Sequence, residues 1–370
     1  MKKLKILFKL LLLSAIFSPS MSYALESDCV ILVYHRFSDE GPKSTSTSPE
    51  VFKQHLAYLQ ENDYSVLPLK TVIEKLQSKE NLPPDCVSLT ADDGFLSIYN
   101  EAFPLLTEYQ YPMSIFVSTN PIDKKYDAMM SWNQLREMAP LVDVFNHTVN
   151  HPHLVNLLPG TLENEVYLAQ DRISKELGVK DKYFAYPYGE YDDKTYEFLK
   201  SNNYIAFGQQ SGVASQNSDF LNIPRFSMSG PYAKMDSFIL KVKTLDMPLE
   251  SISPKSMIIE GSFKPSLELV FSRPLSKYEM NNFACYVSGQ SKAILEWSGL
   301  QSLTGLPEEP LGVGRSRYNC TMPSKENGRY YWFSKLWLRL YMSSAFREFA
   351  IPSRILTDTI SPISSSPPSK

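Results

Sequence analysis

The chain has 370 residues, more than a single domain usually holds, so a barrel with an appendage or a pair of domains is expected. Its 37 Lys and Arg against 40 Asp and Glu give a formal charge of -3, and no long basic block follows the extreme N-terminus. Nucleic acid and other polyanions therefore drop out of the expected partners.

Residues 1–24 read as a signal peptide. Met1-Lys2-Lys3-Leu4-Lys5 is a short basic start, Ile6 to Phe17 is largely apolar, and Ser22-Tyr23-Ala24 has the small-x-small spacing of a cleavage site. Lys9 interrupts the run and leaves it shorter than the roughly 20 residues a bilayer span needs. Export, to the periplasm or outside the cell, with no integral membrane span after cleavage, is the expectation. The four cysteines, Cys29, Cys86, Cys285 and Cys320, suit an oxidising compartment. Cys29 and Cys86 each begin an apolar run and the other two share the C-terminal part, which favours Cys29–Cys86 and Cys285–Cys320 over the other pairings and over buried free thiols.

From Cys29 to about Met228 short apolar runs alternate with amphipathic stretches, the rhythm of a parallel α/β architecture. Val30 to Tyr34 reads as a buried strand. Ser48 caps a helix with Pro49 at its first position and Phe52, Leu56 and Leu59 on one face; His55 lies beside that face. Val87 to Thr90, Ser114 to Val117, Leu141 to Phe145, Tyr183 to Tyr186 and Tyr204 to Phe207 read as further strands, and Glu163 to Leu177 as a helix ended by Gly178. After about Asp246 prolines punctuate short runs. Ser266 to Phe271, Tyr330 to Phe333 and Leu336 to Leu340 suggest a small β-sandwich-like module over 247–350, with an irregular extension as the alternative. Residues 361–370, rich in Ser and Pro, read as a disordered tail.

Tyr34-His35, Asp92-Asp93, His147 and Pro187-Tyr188 all fall at or just after the C-terminal end of a strand, the edge where parallel barrels build active sites. Adjacent carboxylates such as Asp92-Asp93 are costly to bury unless a cation or a shared proton relieves their repulsion. His147 and His151, four residues apart, can face one side of a helical turn or a tight loop, and two imidazoles with a carboxylate suffice for a zinc-like ion with one position left open.

In this order the motifs resemble the polysaccharide deacetylases of carbohydrate esterase family 4, the NodB-like domains. Thr90-Ala91-Asp92-Asp93-Gly94 is similar to that family's Thr-Phe-Asp-Asp-Gly, with Ala91 for Phe; Asn146-His147-Thr148-Val149-Asn150-His151 to its second motif, with Asn146 where Ser is commoner; and Tyr186-Pro187-Tyr188-Gly189 to its third. The resemblance spans roughly Cys29 to Met228 and implies a distorted (β/α) barrel, bounded here as a deacetylase-like domain over 29–246. It implies Asp92 as general base, a divalent metal, zinc foremost, on Asp93, His147 and His151, and an oxyanion held by the Tyr188 backbone N–H. The implied substrate is an N-acetylated glycan, deacetylated at its amino sugars, and Tyr34-His35 is similar to the periplasmic poly-N-acetylglucosamine deacetylases. Two departures stand out. The arginine that often precedes the third motif falls on Ala185, and no histidine follows His153 to supply the family's late acid, which leaves His35 as the candidate acid. The rival readings are an O-acetyl esterase on the same site and a glycan-binding protein on a scaffold that has lost catalysis. Each histidine also has a structural reading: His35 as a bond to loop backbone, His55 as a partly buried helix residue, and His153 as a loop former without a role. Trp132 is either packing or a sugar-stacking platform.

Overall fold

The computed structural model describes residues 27–260, 263–325 and 328–340. The signal-peptide reading, the tail and residues 341–350 of the expected module lie outside them. Six parallel strands form the main sheet in chain order: β1 (Asp28–Tyr34), β2 (Cys86–Asp93), β3 (Met113–Val117), β4 (Val142–Asn146), β5 (Tyr183–Ala185) and β6 (Ile205–Phe207). A seventh, β7 (Phe226–Ser227), pairs parallel with β1, while Ile223, three residues earlier, bridges Phe207 of β6. The segment 223–227 thus draws the two edges of the sheet together and curls it into the distorted barrel the sequence leads one to expect. The strands read as near-continuous apolar runs because both faces are covered. Leu32, Leu89 and Ile115 pack toward α1 (Pro49–Glu61) and α3 (Phe103–Tyr109), and Ile31, Phe116, Phe145 and Phe207 toward a second cluster that includes α2 (Leu69–Gln77).

Local chemistry sets several element ends. Pro49 opens α1 with Ser48 as the preceding residue, although the Ser48 side chain makes no capping bond. Helix α4 (Thr161–Leu177) ends at Gly178, whose φ of 73° is the left-handed conformation that glycine adopts without strain. The Cys29–Cys86 disulfide joins the starts of neighbouring β1 and β2.

His55 is fully buried rather than partly so. One ring nitrogen lies 3.0 Å from the Tyr34 hydroxyl and the other 2.7 Å from the Ala233 carbonyl, and the ring stacks on Phe238 at 3.9 Å. Burial pushes its pKa down to about 4, against the raising pull of the Ala233 carbonyl. The folded pKa is thus below the unfolded value of 6.5, so this stabilisation is complete above 6.5 and disappears as pH falls toward 4. About 3 kcal/mol of stability should be lost over that window. Denaturant melts as a function of pH check it: a His55→Gln chain should be less acid-sensitive there, and an equal slope in both chains would refute the assignment.

The C-terminal part holds two four-stranded sheets. One contains β8 (Leu249–Ser253), β9 (Leu267–Phe271), β11 (Ile294–Ser298) and β12 (Ser302–Leu306); the other contains β10 (Ala284–Val287), β13 (Gly314–Pro323), β14 (Tyr330–Arg339) and the short strand Leu245–Asp246. Leu267, Leu269, Phe271 and Leu303 of the first sheet share a core with Val287, Tyr318 and Trp337 of the second. Cys285–Cys320 joins β10 to β13 at opposed positions. The two aromatic and aliphatic runs expected to be separate are one ten-residue strand, β14. The module docks on the barrel through Met257, Leu336 and Leu338, which pack with Tyr186 and Tyr191. Among the described residues no helix is long and apolar enough to cross a membrane.

Candidate active site

Parallel strands bring their C-terminal ends to one edge, and there β2 ends in Asp92-Asp93, β4 runs into His147 and β5 into Tyr186-Pro187-Tyr188. The motif loops hold unusual backbone. Asp93, Thr148, His151 and Tyr188 all have positive φ, at 73°, 71°, 57° and 60°, a conformation that costs a side-chain-bearing residue about 1–2 kcal/mol. His147 to His151 form a loop rather than a helical turn. Its shape is imposed by neighbours: Asn146 donates to the Val166 carbonyl and accepts from the Thr148 N–H, and Glu165 on α4 accepts from the N–H groups of Val149 and Asn150. Asn146 is fully buried in that role.

Asp93, His147 and His151 offer ligand atoms that all lie within 4.8 Å of one another. Asp93 Oδ1 is 3.5 Å from His147 Nε2 and 3.3 Å from His151 Nε2. The other nitrogen of His147, Nδ1, lies 2.7 Å from the Ala185 carbonyl, which can only accept, so Nδ1 carries the proton. In a neutral ring that leaves the Nε2 lone pair facing a carboxylate oxygen, buried and without a hydrogen bond. Two lone pairs so opposed call for a cation or a proton between them, and a ring held by a backbone carbonyl on its far side is the usual support of a metal-ligating histidine. His151 is pushed down to about 4 by burial and by His147, with Asp93 and Asp92 opposing, so its lone pair is available at neutral pH. The residues present fit a divalent ion.

Asp92 is not part of that trio. It is fully buried and paired fork to fork with Arg225, Nη1 to Oδ1 at 2.7 Å and Nη2 to Oδ2 at 2.8 Å. Burial alone would raise its carboxyl, but the Arg225 guanidinium, joined by His147 and His35, outweighs that and holds it below the ordinary carboxylate range. Arg225 also donates from Nε to the Gly208 carbonyl. The guanidinium beside Asp92 thus comes from the barrel-closing segment, while position 185 holds Ala185. Sequence reasoning overlooked Arg225: a lone arginine between Pro224 and Phe226, ahead of a two-residue strand, has no spacing relation to the motifs. Its one signal was its apolar setting, Ile223-Pro224-Arg225-Phe226, since a buried arginine requires an acid.

His35 follows β1, and Asp92, Asp93, Arg225 and His147 all act electrostatically on it. Burial lowers its pKa against the pull of the two aspartates, and its Nδ1 is buried without a hydrogen-bond partner among the described residues. Tyr188 sets its ring edge-on to His151 at 4.5 Å and flat against His153 at 4.1 Å. His153, left without a role by the sequence, lies 2.6 Å through Nδ1 from Glu190. Trp132 is packed in the core with its indole N–H on Asp123, so the packing reading holds.

A curled parallel sheet carrying a His-His-Asp trio and a second, separately paired aspartate is the framework of a hydrolase site. Residues 79–207 match the family model for polysaccharide deacetylase, and they lie on the curled parallel sheet of a NodB-like distorted barrel. The chain is similar to the deacetylase PplD of Streptococcus pyogenes, with 26% identity and a TM-score of 0.55 over 59% of this chain and 99% of that one. It is also similar to IcaB from Ammonifex degensii, with 28% identity and a TM-score of 0.50 over 58% and 94%. A curated relative, the poly-beta-1,6-N-acetyl-D-glucosamine N-deacetylase of Escherichia coli K12, is 26% identical over 242 residues, covering 53% of this chain and 36% of the relative's length.

Proposed function

We propose that the protein is a metal-dependent polysaccharide deacetylase that hydrolyses N-acetyl groups on amino-sugar residues, with Asp93, His147 and His151 holding a divalent ion, zinc foremost. The observation that carries this is the convergence of Asp93, His147 and His151, whose ligand atoms lie within 4.8 Å of one another, beside an aspartate whose own charge is already balanced by Arg225. When bound, the ion would polarise the acetyl carbonyl and acidify water next to it. Asp92 takes the proton of the attacking water; it is held ionised at neutral pH, and each carboxylate oxygen keeps a lone pair beyond those used by Arg225. The backbone N–H of Tyr188 faces the developing oxyanion. As the carbon–nitrogen bond breaks, the amine needs a proton, and His35 is the group proposed to deliver it. Burial keeps His35 neutral at rest, so the proton it delivers is the one Asp92 has taken from the water, passed on before the carbon–nitrogen bond breaks. The products are acetate and a free amino sugar.

The match to poly-N-acetylglucosamine N-deacetylases supports β-1,6-linked N-acetylglucosamine as the first substrate to try. Two disulfides support the reading of residues 1–24 as an export signal, since such bonds persist in oxidising compartments. The test is acetate release from chitin, peptidoglycan and β-1,6-linked N-acetylglucosamine oligomers, with and without chelator. Chelator-sensitive release from one of them is expected. No release, with glycan still bound, would replace this reading by that of a glycan-binding protein.

A further inference from the structure

The Tyr186-Gly189 turn has features its own sequence does not account for. Tyr188 and Gly189 both have positive φ, and although Gly189 and Glu190 donate their N–H groups to Tyr186 and Pro187, nothing within the turn satisfies the Tyr188 carbonyl or the buried Glu190 side chain. Both are met from outside. On β13 of the C-terminal module, Arg315 donates from Nη1 to the Tyr188 carbonyl at 2.9 Å and sets Nε 3.3 Å from Glu190 Oε1, with its guanidinium 5.6 Å from the Tyr188 ring centroid. Glu190 Oε2 takes His153 Nδ1 at 2.6 Å, and His153 in turn stacks on Tyr188, whose ring meets His151. One carboxylate with 5% of its side chain exposed thus ties the loop after the second motif, the third-motif turn and the module together.

We propose that Arg315 is a positioning residue of the catalytic site: the module's guanidinium bridges the Tyr188 carbonyl and the Glu190 carboxylate and holds the third-motif turn in its strained shape. This rests on the deacetylase reading above. Arg315 touches no reacting atom; it fixes the peptide that follows Tyr188, and through the φ and ψ of that residue the N–H and ring that face the site. A fixed fork to two acceptors suits arginine rather than lysine.

The test compares the parent, Arg315→Ala, Arg315→Lys and a control, Arg273→Ala, which breaks an ion pair with Glu279 inside the module. Acetate release and amide hydrogen exchange at Gly189 and Glu190, whose N–H groups are bonded within the turn, are both measured. Arg315→Ala should lower kcat about 10- to 100-fold with KM within about 2-fold, since misplacement of about 1 Å carries losses of that order. Its two bonded turn amides should exchange about 10-fold faster, as expected of a loop that opens locally, while barrel-strand amides stay unchanged. Arg315→Lys should recover part of both, and Arg273→Ala should match the parent. A parental kcat together with parental exchange in Arg315→Ala overturns the proposal, and so does a loss confined to KM, which would make Arg315 a substrate contact. Should the alanine chain not fold, Arg315→Lys must show the same two changes at smaller amplitude, and parental values there overturn it equally. A parent that releases no acetate sinks the deacetylase reading, while the exchange data still decide whether Arg315 holds the turn.

Discussion

Asp92→Asn should lower acetate release from N-acetylglucosamine oligomers by about 10²–10⁴-fold, the span general-base catalysis contributes, while the chain keeps its divalent ion. The two halves separate because the base and the ligands are different side chains: Asp92 faces Arg225, and Asp93 faces the two imidazoles. The structure adds a stability effect. Asparagine still accepts one guanidinium N–H but leaves Arg225 charged and buried, so the variant should also lose stability, at most the roughly 3–5 kcal/mol seen when a buried pair is broken. Metal content by mass spectrometry, turnover and denaturant melts distinguish the outcomes. Parental turnover would remove Asp92 from the role of base, and loss of the metal would make it a ligand.

The largest effect on the fold is expected from Arg225→Met. Removing the guanidinium strands the Asp92 carboxylate with no exposed surface, at about 3–5 kcal/mol, or roughly 10 °C in Tm for a domain of this size. The pH dependence has a definite sign. In the parent, Asp92 lies below its ordinary 3.8, so its stabilisation is complete above that value and is lost as pH falls through the folded pKa. In the variant, burial is opposed only by His147 and His35 and no longer by the guanidinium, so the carboxyl is raised relative to the parent, and the penalty is full at neutral pH and relieved by protonation in acid. The gap between the two Tm values should therefore narrow as pH falls below 5 or so. A gap that is constant with pH would mean that Arg225 acts through packing, for instance on Phe116, whose ring centroid lies 5.3 Å away, and not through Asp92.

Much of this was legible in the sequence because the relevant signals are local. Buried parallel strands announce themselves as apolar runs, and a motif at a strand end lands on the catalytic edge whatever the details of packing. Asp93, His147 and His151 come together for that reason. What stayed hidden depends on contacts between distant segments. Arg225 meets Asp92 across a separation of 133 residues, and Arg315 meets Tyr188 across 127. Glu165 looked like one more acid on a helix, yet it holds the loop between the two histidines. The short strand Leu245–Asp246 was not legible either, since two residues have no alternation to read and their place is set by pairing with Tyr331 and Trp332.

The most direct test is anomalous diffraction from crystals of the protein grown with zinc. The account predicts a single peak within bonding distance of Asp93, His147 and His151, with Asp92 outside that sphere and still forked to Arg225. A chain that releases acetate yet shows no ion among those three side chains, or one in which Asp92 binds the ion in place of Asp93, would contradict it.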